Sequence, residues 1–99
     1  MAKYDVYPNA HAEGFLLDVQ SDLLDVLNTR VVVPLLDLSN APTPAAHLNP
    51  VFRIEGREVV MVTQFLAAVP GSVLQRPVTS LDAEHAQITR ALDMVFQGF

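Results

Sequence analysis

Three histidines, His11, His47 and His85, are the side chains of this sequence best suited to moving protons near neutral pH or holding a transition metal. No two of them share the i to i+4 spacing that puts two imidazoles on one helical face, so they read as solvated side chains. The chain has no cysteine, which removes thiolate metal sites, disulfides and cysteine nucleophiles together. Asp18, Asp22 and Asp25 have the look of an acid–base set. Such a set works only when one carboxyl is desolvated and its neighbour is not, and nothing in the flanking residues does that. They read as surface charges near a turn. There is no GxSxG elbow, no Walker lysine loop and no dinucleotide fingerprint. The expectation is a protein with no catalytic residue, metal ligand or cofactor.

The other chemistry available is that of contact. Val95-Phe96-Gln97-Gly98-Phe99 carries apolar and aromatic residues where chain ends are commonly polar and frayed. Phe96 and Phe99 either complete the core face of a helix, the reading favoured for Phe96, or anchor an interface, with Gly98 allowing close approach. Leu23-Leu24 is a second candidate, two adjacent large apolar residues between Asp22 and Asp25 of which at most one can easily face a core. One of the pair is expected in solvent.

The elements that must hold these residues are short. Tyr4–Tyr7 and Phe15–Gln20 are rich in aromatic, aliphatic and β-branched residues, and the turn-forming stretch between them makes an opening hairpin. Val31–Leu36 is a continuous apolar run, a core strand in which Pro34 forces a bulge or an edge position because it cannot donate to a ladder. Leu38–Leu48, with Ser39, Asn40, Pro42, Thr43 and Pro44, reads as an exposed loop. Val51–Ile54 and Glu58–Thr63 flank Glu55-Gly56 as a tight hairpin with Phe52 opposite Val59. Phe65–Val69 leans towards strand, with a break at Pro70-Gly71. Ile88, Ala91, Leu92, Val95, Phe96 and Phe99 recur at helical spacing, with Asp82 placed as N-cap and Gly98 as terminator. Several antiparallel strands and one terminal helix give a mainly β, α+β domain: a small barrel or curled sheet closed by the helix.

Bulk properties narrow the partners. At 99 residues the chain is expected to be one domain, residues 1–99. Apolar residues make up 51% and charged ones 17%, so part of the apolar surface should meet a partner, most simply a second copy in a twofold dimer. A net charge of −5 opposes direct nucleic-acid binding. No run approaches a membrane span, and the opening Met1-Ala2-Lys3-Tyr4-Asp5 lacks the apolar stretch of an export signal, so the cytoplasm is the expected compartment.

Tyr4-Asp5-Val6-Tyr7, Leu17-Asp18-Val19-Gln20-Ser21-Asp22, Val32-Val33-Pro34-Leu35, Leu48-Asn49-Pro50 and the terminal Phe96-Gln97-Gly98 resemble, in order and spacing, the CcdB family of toxins. The similarity runs nearly from end to end. It implies a homodimer with an SH3-like antiparallel β-barrel, a small extra sheet and a C-terminal α-helix. It also implies a type II toxin that binds the gyrase A subunit and traps the gyrase–DNA cleavage complex. A CcdA-like antitoxin with a disordered tail would neutralise it, and the complex of the two, not the toxin alone, would bind operator DNA and repress the operon. Carried over by position, the gyrase-binding residues are Leu23, Leu24, Asp93, Gln97, Gly98 and Phe99. Two of them depart from the family pattern: familiar members have tryptophan at the position of Gln97 and asparagine at that of Asp93. That departure keeps open a degenerate member that binds antitoxin without poisoning gyrase. A ribonuclease of the MazF type, built on the same barrel, is the enzymatic alternative. It would need a basic groove, whereas Arg30, Arg53, Arg57, Arg76 and Arg90 are scattered.

Overall fold

The computed structural model describes residues 1–98. Seven strands, β1 (Asp5–Pro8), β2 (Phe15–Asp18), β3 (Thr29–Asp37), β4 (Val51–Ile54), β5 (Arg57–Met61), β6 (Ala67–Pro70) and β7 (Thr79–Ser80), precede one helix, α1 (His85–Gln97). All pairings are antiparallel, and the sheet runs β4-β5-β3-β2-β1-β7 with β6 branching from β3. The sheet curls into a nearly closed barrel, with the helix as its C-terminal addition.

The long strand β3 is the hinge of this topology. One edge pairs with β2. Its other edge is divided: Thr29–Val32 face β6, and Leu35–Asp37 face β5. Pro34 lies in the gap between the two partners. Its carbonyl accepts from the Val62 N–H at 3.0 Å, so its missing donor faces that same divided edge. This corrects the expectation of an edge position or a bulge: the strand is interior, and it tolerates proline where one neighbour hands over to the next.

The hairpin of β4 and β5 has the expected register, Phe52 opposite Val59. Glu55 and Gly56 both have positive φ, 52° and 78°, which gives a connection whose twist matches that of the strands. The opening hairpin also forms, with Val6 opposite Leu17. Between β5 and β6 the chain makes a 3-10 turn at Thr63–Phe65 before Ala67–Pro70 extends, so only the second half of the segment expected as strand is one.

Alternation along the strands builds two cores. Val6, Phe15, Leu17, Val33, Leu35, Phe52, Ile54, Val59 and Met61 point to one side and meet Leu81, Ile88 and Ala91 at the start and inner face of the helix. Tyr7, Leu16 and Val32 point to the other side and are covered by Leu74. The segment crossing from β6 to β7 therefore roofs the outer face, which is why every residue of β2 is buried. Each large aliphatic side chain so enclosed contributes about 1.5 to 3 kcal/mol.

The helix begins differently from its expected start. Asp82–Glu84 form a 3-10 turn, the Asp82 N–H donates to Ser80 Oγ at 3.2 Å, and no side chain caps α1. Its other end is as expected: Gly98 adopts a left-handed φ of 82° and donates its N–H to the Met94 carbonyl at 3.0 Å. The Leu38–Leu48 loop is largely exposed. Asn49 pins its end, accepting from the Ala45 N–H and donating to the Met61 carbonyl and Gln64 Oε1.

Candidate functional site

Between β2 and β3 the chain leaves the barrel for the loop 21–28, and every residue of that loop is exposed. Leu23 and Val26 are 92% and 93% exposed, and Leu24 and Leu27 are also open to solvent. The expectation that at least one of Leu23 and Leu24 lies in solvent holds, and both face out. The physical reason lies in the backbone. Asp22–Leu24 form a 3-10 turn capped by Ser21, whose hydroxyl accepts from the Leu23 N–H. The turn continues through Asp25 N–H to Asp22 O and Leu27 N–H to Leu24 O. Four apolar side chains thus radiate from a locally bonded coil with no core beneath it.

The loop is also tied at several points to what surrounds it. The Lys3 N–H donates to Asp22 Oδ1 at 2.9 Å, and the Gly71 N–H donates to the Asn28 carbonyl at 2.8 Å. Gln20, itself buried, donates from Nε2 to the Leu24 carbonyl and accepts through Oε1 from the Val31 N–H.

Beneath lies a buried ion pair that corrects the reading of Asp18 as a surface charge. Asp18 is sealed from solvent; its Oδ1 accepts from the Gln20 N–H, and its Oδ2 faces Arg30 Nε at 2.9 Å and Nη2 at 2.6 Å. Arg30 is equally buried, and its remaining nitrogen, Nη1, reaches outward to Asp25 Oδ1 at 3.0 Å. Burial pushes the Asp18 carboxyl above the usual carboxylate range, while the Gln20 N–H and the Arg30 guanidinium pull it back. One carboxylate of the three is therefore desolvated after all. It has no route to a substrate, and its partner is a fixed cation, so it belongs to the scaffold. Sequence reasoning missed it because the pair spans 12 positions; the available signal was an arginine opening an otherwise apolar strand.

At the end of α1 the residues divide differently from the expected stripe. Ile88 and Ala91 are buried, and Leu92 and Val95 partly so. Phe96 is 70% exposed, which overturns its assignment to the core face: burial fades along the helix from Ile88 and Ala91 to a last turn that is open to solvent. Gln97 and Gly98 are exposed, whereas Asp93 is half-buried rather than on an open face. Phe99 lies outside the described residues. No hydrogen bond or ion pair joins the 21–28 loop to the helix end among the described residues.

His11 and His85 are exposed. His47, also exposed, has a left-handed φ of 67° and lines a cleft with Pro50, Gln87 and Arg90, where Arg90 Nη2 donates to His47 Nε2 at 3.2 Å. No group of three histidines or carboxylates is placed to hold a metal ion among the described residues. No helix there is long and apolar enough to cross a membrane.

The architecture is a branched antiparallel barrel, a terminal helix, an apolar loop tethered by hydrogen bonds and an aromatic helix tip. It coincides with a match to the family model described as CcdB protein, which spans residues 3–98. The chain belongs to the CcdB family, the toxins of toxin–antitoxin pairs.

Proposed function

We propose that this chain is a gyrase-directed toxin that works by lodging in a conformation of its target rather than by turning over a substrate. It binds the gyrase A subunit through Leu23, Leu24, Asp93, Gln97, Gly98 and Phe99 and holds the gyrase–DNA cleavage complex. The observation that carries this reading is the presentation of Leu23 and Leu24 on a tethered loop, the first almost wholly in solvent and the second about half so. Large apolar side chains held outward on an ordered backbone are the composition of an interface hot spot. Asp93, half-buried, takes part at the margin of the contact.

In this proposal the toxin is a homodimer, because loop and helix tip share no bond within one chain and a twofold mate supplies the second set. A CcdA-like antitoxin covers the dimer, and operator DNA is reached only through that complex. The acidic balance of the toxin fits such a division. A ribonuclease reading is disfavoured: Arg30 is buried and Arg57 is paired with Asp37, which leaves fewer cations to follow a phosphate backbone.

The test is a supercoiling and cleavage-complex assay with gyrase from the native host, run with the full chain and with a chain ending at Phe96. Accumulated cleaved DNA with the full chain, lost on truncation while the fold persists, is the expected result. Tight antitoxin binding with no gyrase binding would select the degenerate-member reading, and clean RNA cleavage by the purified protein would select the ribonuclease.

A further inference from the structure

We propose that Arg30 is a positioning residue for target recognition: through Asp25 it holds the 21–28 loop in the conformation that keeps Leu23, Leu24, Val26 and Leu27 in solvent. The inference rests on the reading of this loop as a target contact and extends it to residues the target never touches.

A buried ion pair does not explain itself as a source of stability. Removing two charges from water offsets most of their attraction, and well-packed apolar pairs in such places are often as stable or more so. What the pair Asp18–Arg30 provides that an apolar pair could not is the third nitrogen. Asp18 Oδ2 accepts from Nε and lies against Nη2 as a charge partner, and the planar fork then aims Nη1 at Asp25 Oδ1, a carboxylate 60% exposed at the far end of the 3-10 turn. Gln20, whose own N–H is bonded to Asp18, grips the Leu24 carbonyl from the same side. Asp18 is thus the root of two arms, one ending on Leu24 and the other on Asp25.

The consequence for recognition is entropic. A loop bearing four exposed apolar side chains would, if free, turn them onto the nearest apolar surface and have to be reordered on binding. A loop held open beforehand avoids that cost. Val26 and Leu27 then join Leu23 and Leu24 in the presented surface.

The experiment uses the full chain with Asp25→Ala, Asp25→Glu and the double variant Asp18→Leu/Arg30→Met. Hydrogen exchange is read in the free protein at the amides of Leu24, Asp25 and Leu27, and the affinity for purified gyrase A subunit is measured alongside the thermal midpoint. Asp25→Ala, a change at the exposed end of the network, is expected to speed exchange at these amides severalfold and weaken binding roughly tenfold, with the thermal midpoint nearly unchanged. Asp25→Glu restores both, and the double variant, if folded, reproduces the loosened loop. Unchanged exchange in Asp25→Ala overturns the proposal, whatever happens to binding; a fall in affinity in that case means that Asp25 itself touches the target. Faster exchange with undiminished affinity overturns it too, because loop order would then not matter for recognition. A wild-type chain that does not bind gyrase defeats the target reading, and the exchange data alone then decide whether Arg30 holds the loop.

Discussion

Arg30 Nε donates to Asp18 Oδ2 at 2.9 Å with both side chains sealed from water, so deleting Arg30 strands the Asp18 charge and deleting Asp18 leaves the guanidinium only its partly exposed partner Asp25. Truncating one member, as Arg30→Ala or Asp18→Ala, is expected to destabilise the fold by about 3 to 5 kcal/mol. Replacing both by apolar residues of similar volume is expected to cost far less. Urea denaturation of the two single variants and of Asp18→Leu/Arg30→Met gives the cycle, and a double variant as unstable as the sum of the singles would refute the pairing argument.

Tyr7 makes stability depend on alkaline pH. Burial, with the negative charges of Asp5 and Asp18 nearby, raises its phenol from 10.0 to about 12. The native state therefore keeps its proton after the unfolded chain has released it. The contribution is present in full below pH 10 and is lost as pH rises from 10 towards about 12, a loss of about 2 to 3 kcal/mol across that window. Denaturant midpoints measured from pH 9 to 12 should fall in the wild type and fall much less in Tyr7→Phe. Parallel curves would show that another group is responsible.

How far these features could be read beforehand depends on the range of the physics involved. The Phe52–Val59 register was legible because a two-residue turn and its flanking alternation are local, and the same holds for the Gly98 terminator. The inner stripe of Ile88 and Ala91 was legible from helical spacing. Periodicity says which face Phe96 shares, but not how far along that face the core reaches, and its exposure depends on that limit. Pro34 was misplaced for a related reason: a missing donor forbids pairing on one edge, and only the topology shows that this edge changes partners there. In the candidate site, Leu23 and Leu24 stood out by their neighbours in sequence. Arg30, Gln20 and Asp18, which position them, did not, since a buried charge is recognised by a partner distant in the chain.

Asn49 closes the 38–48 loop onto the barrel with three hydrogen bonds, two of them to backbone groups. Asn49→Ala leaves the buried Met61 carbonyl without this partner, which costs about 1 to 3 kcal/mol. Asn49→Asp keeps the acceptor for the Ala45 N–H but loses the donor, and should be at least as destabilised at neutral pH. Equilibrium unfolding of both variants checks this, and exchange at the Ala45 amide should quicken in Asn49→Ala only. Variants as stable as the wild type would mean that the loop is held by other means.

Phe96 and Ile88 lie on one helix and should separate stability from function. Ile88 is fully enclosed beside Ala91, and Ile88→Ala is expected to cost about 2 to 5 kcal/mol through lost burial and the cavity left behind. Phe96 is largely in solvent, so Phe96→Ser should change stability by no more than about 0.5 kcal/mol. If the helix tip meets the target, that same substitution should weaken gyrase binding by roughly tenfold or more, as the loss of an aromatic anchor does. Isothermal titration against gyrase A subunit, with thermal unfolding of each variant, distinguishes the two effects. A Phe96→Ser protein that unfolds early would place the ring in the fold after all, and one that binds as tightly as the wild type would confine the contact to the loop and the residues beyond the helix.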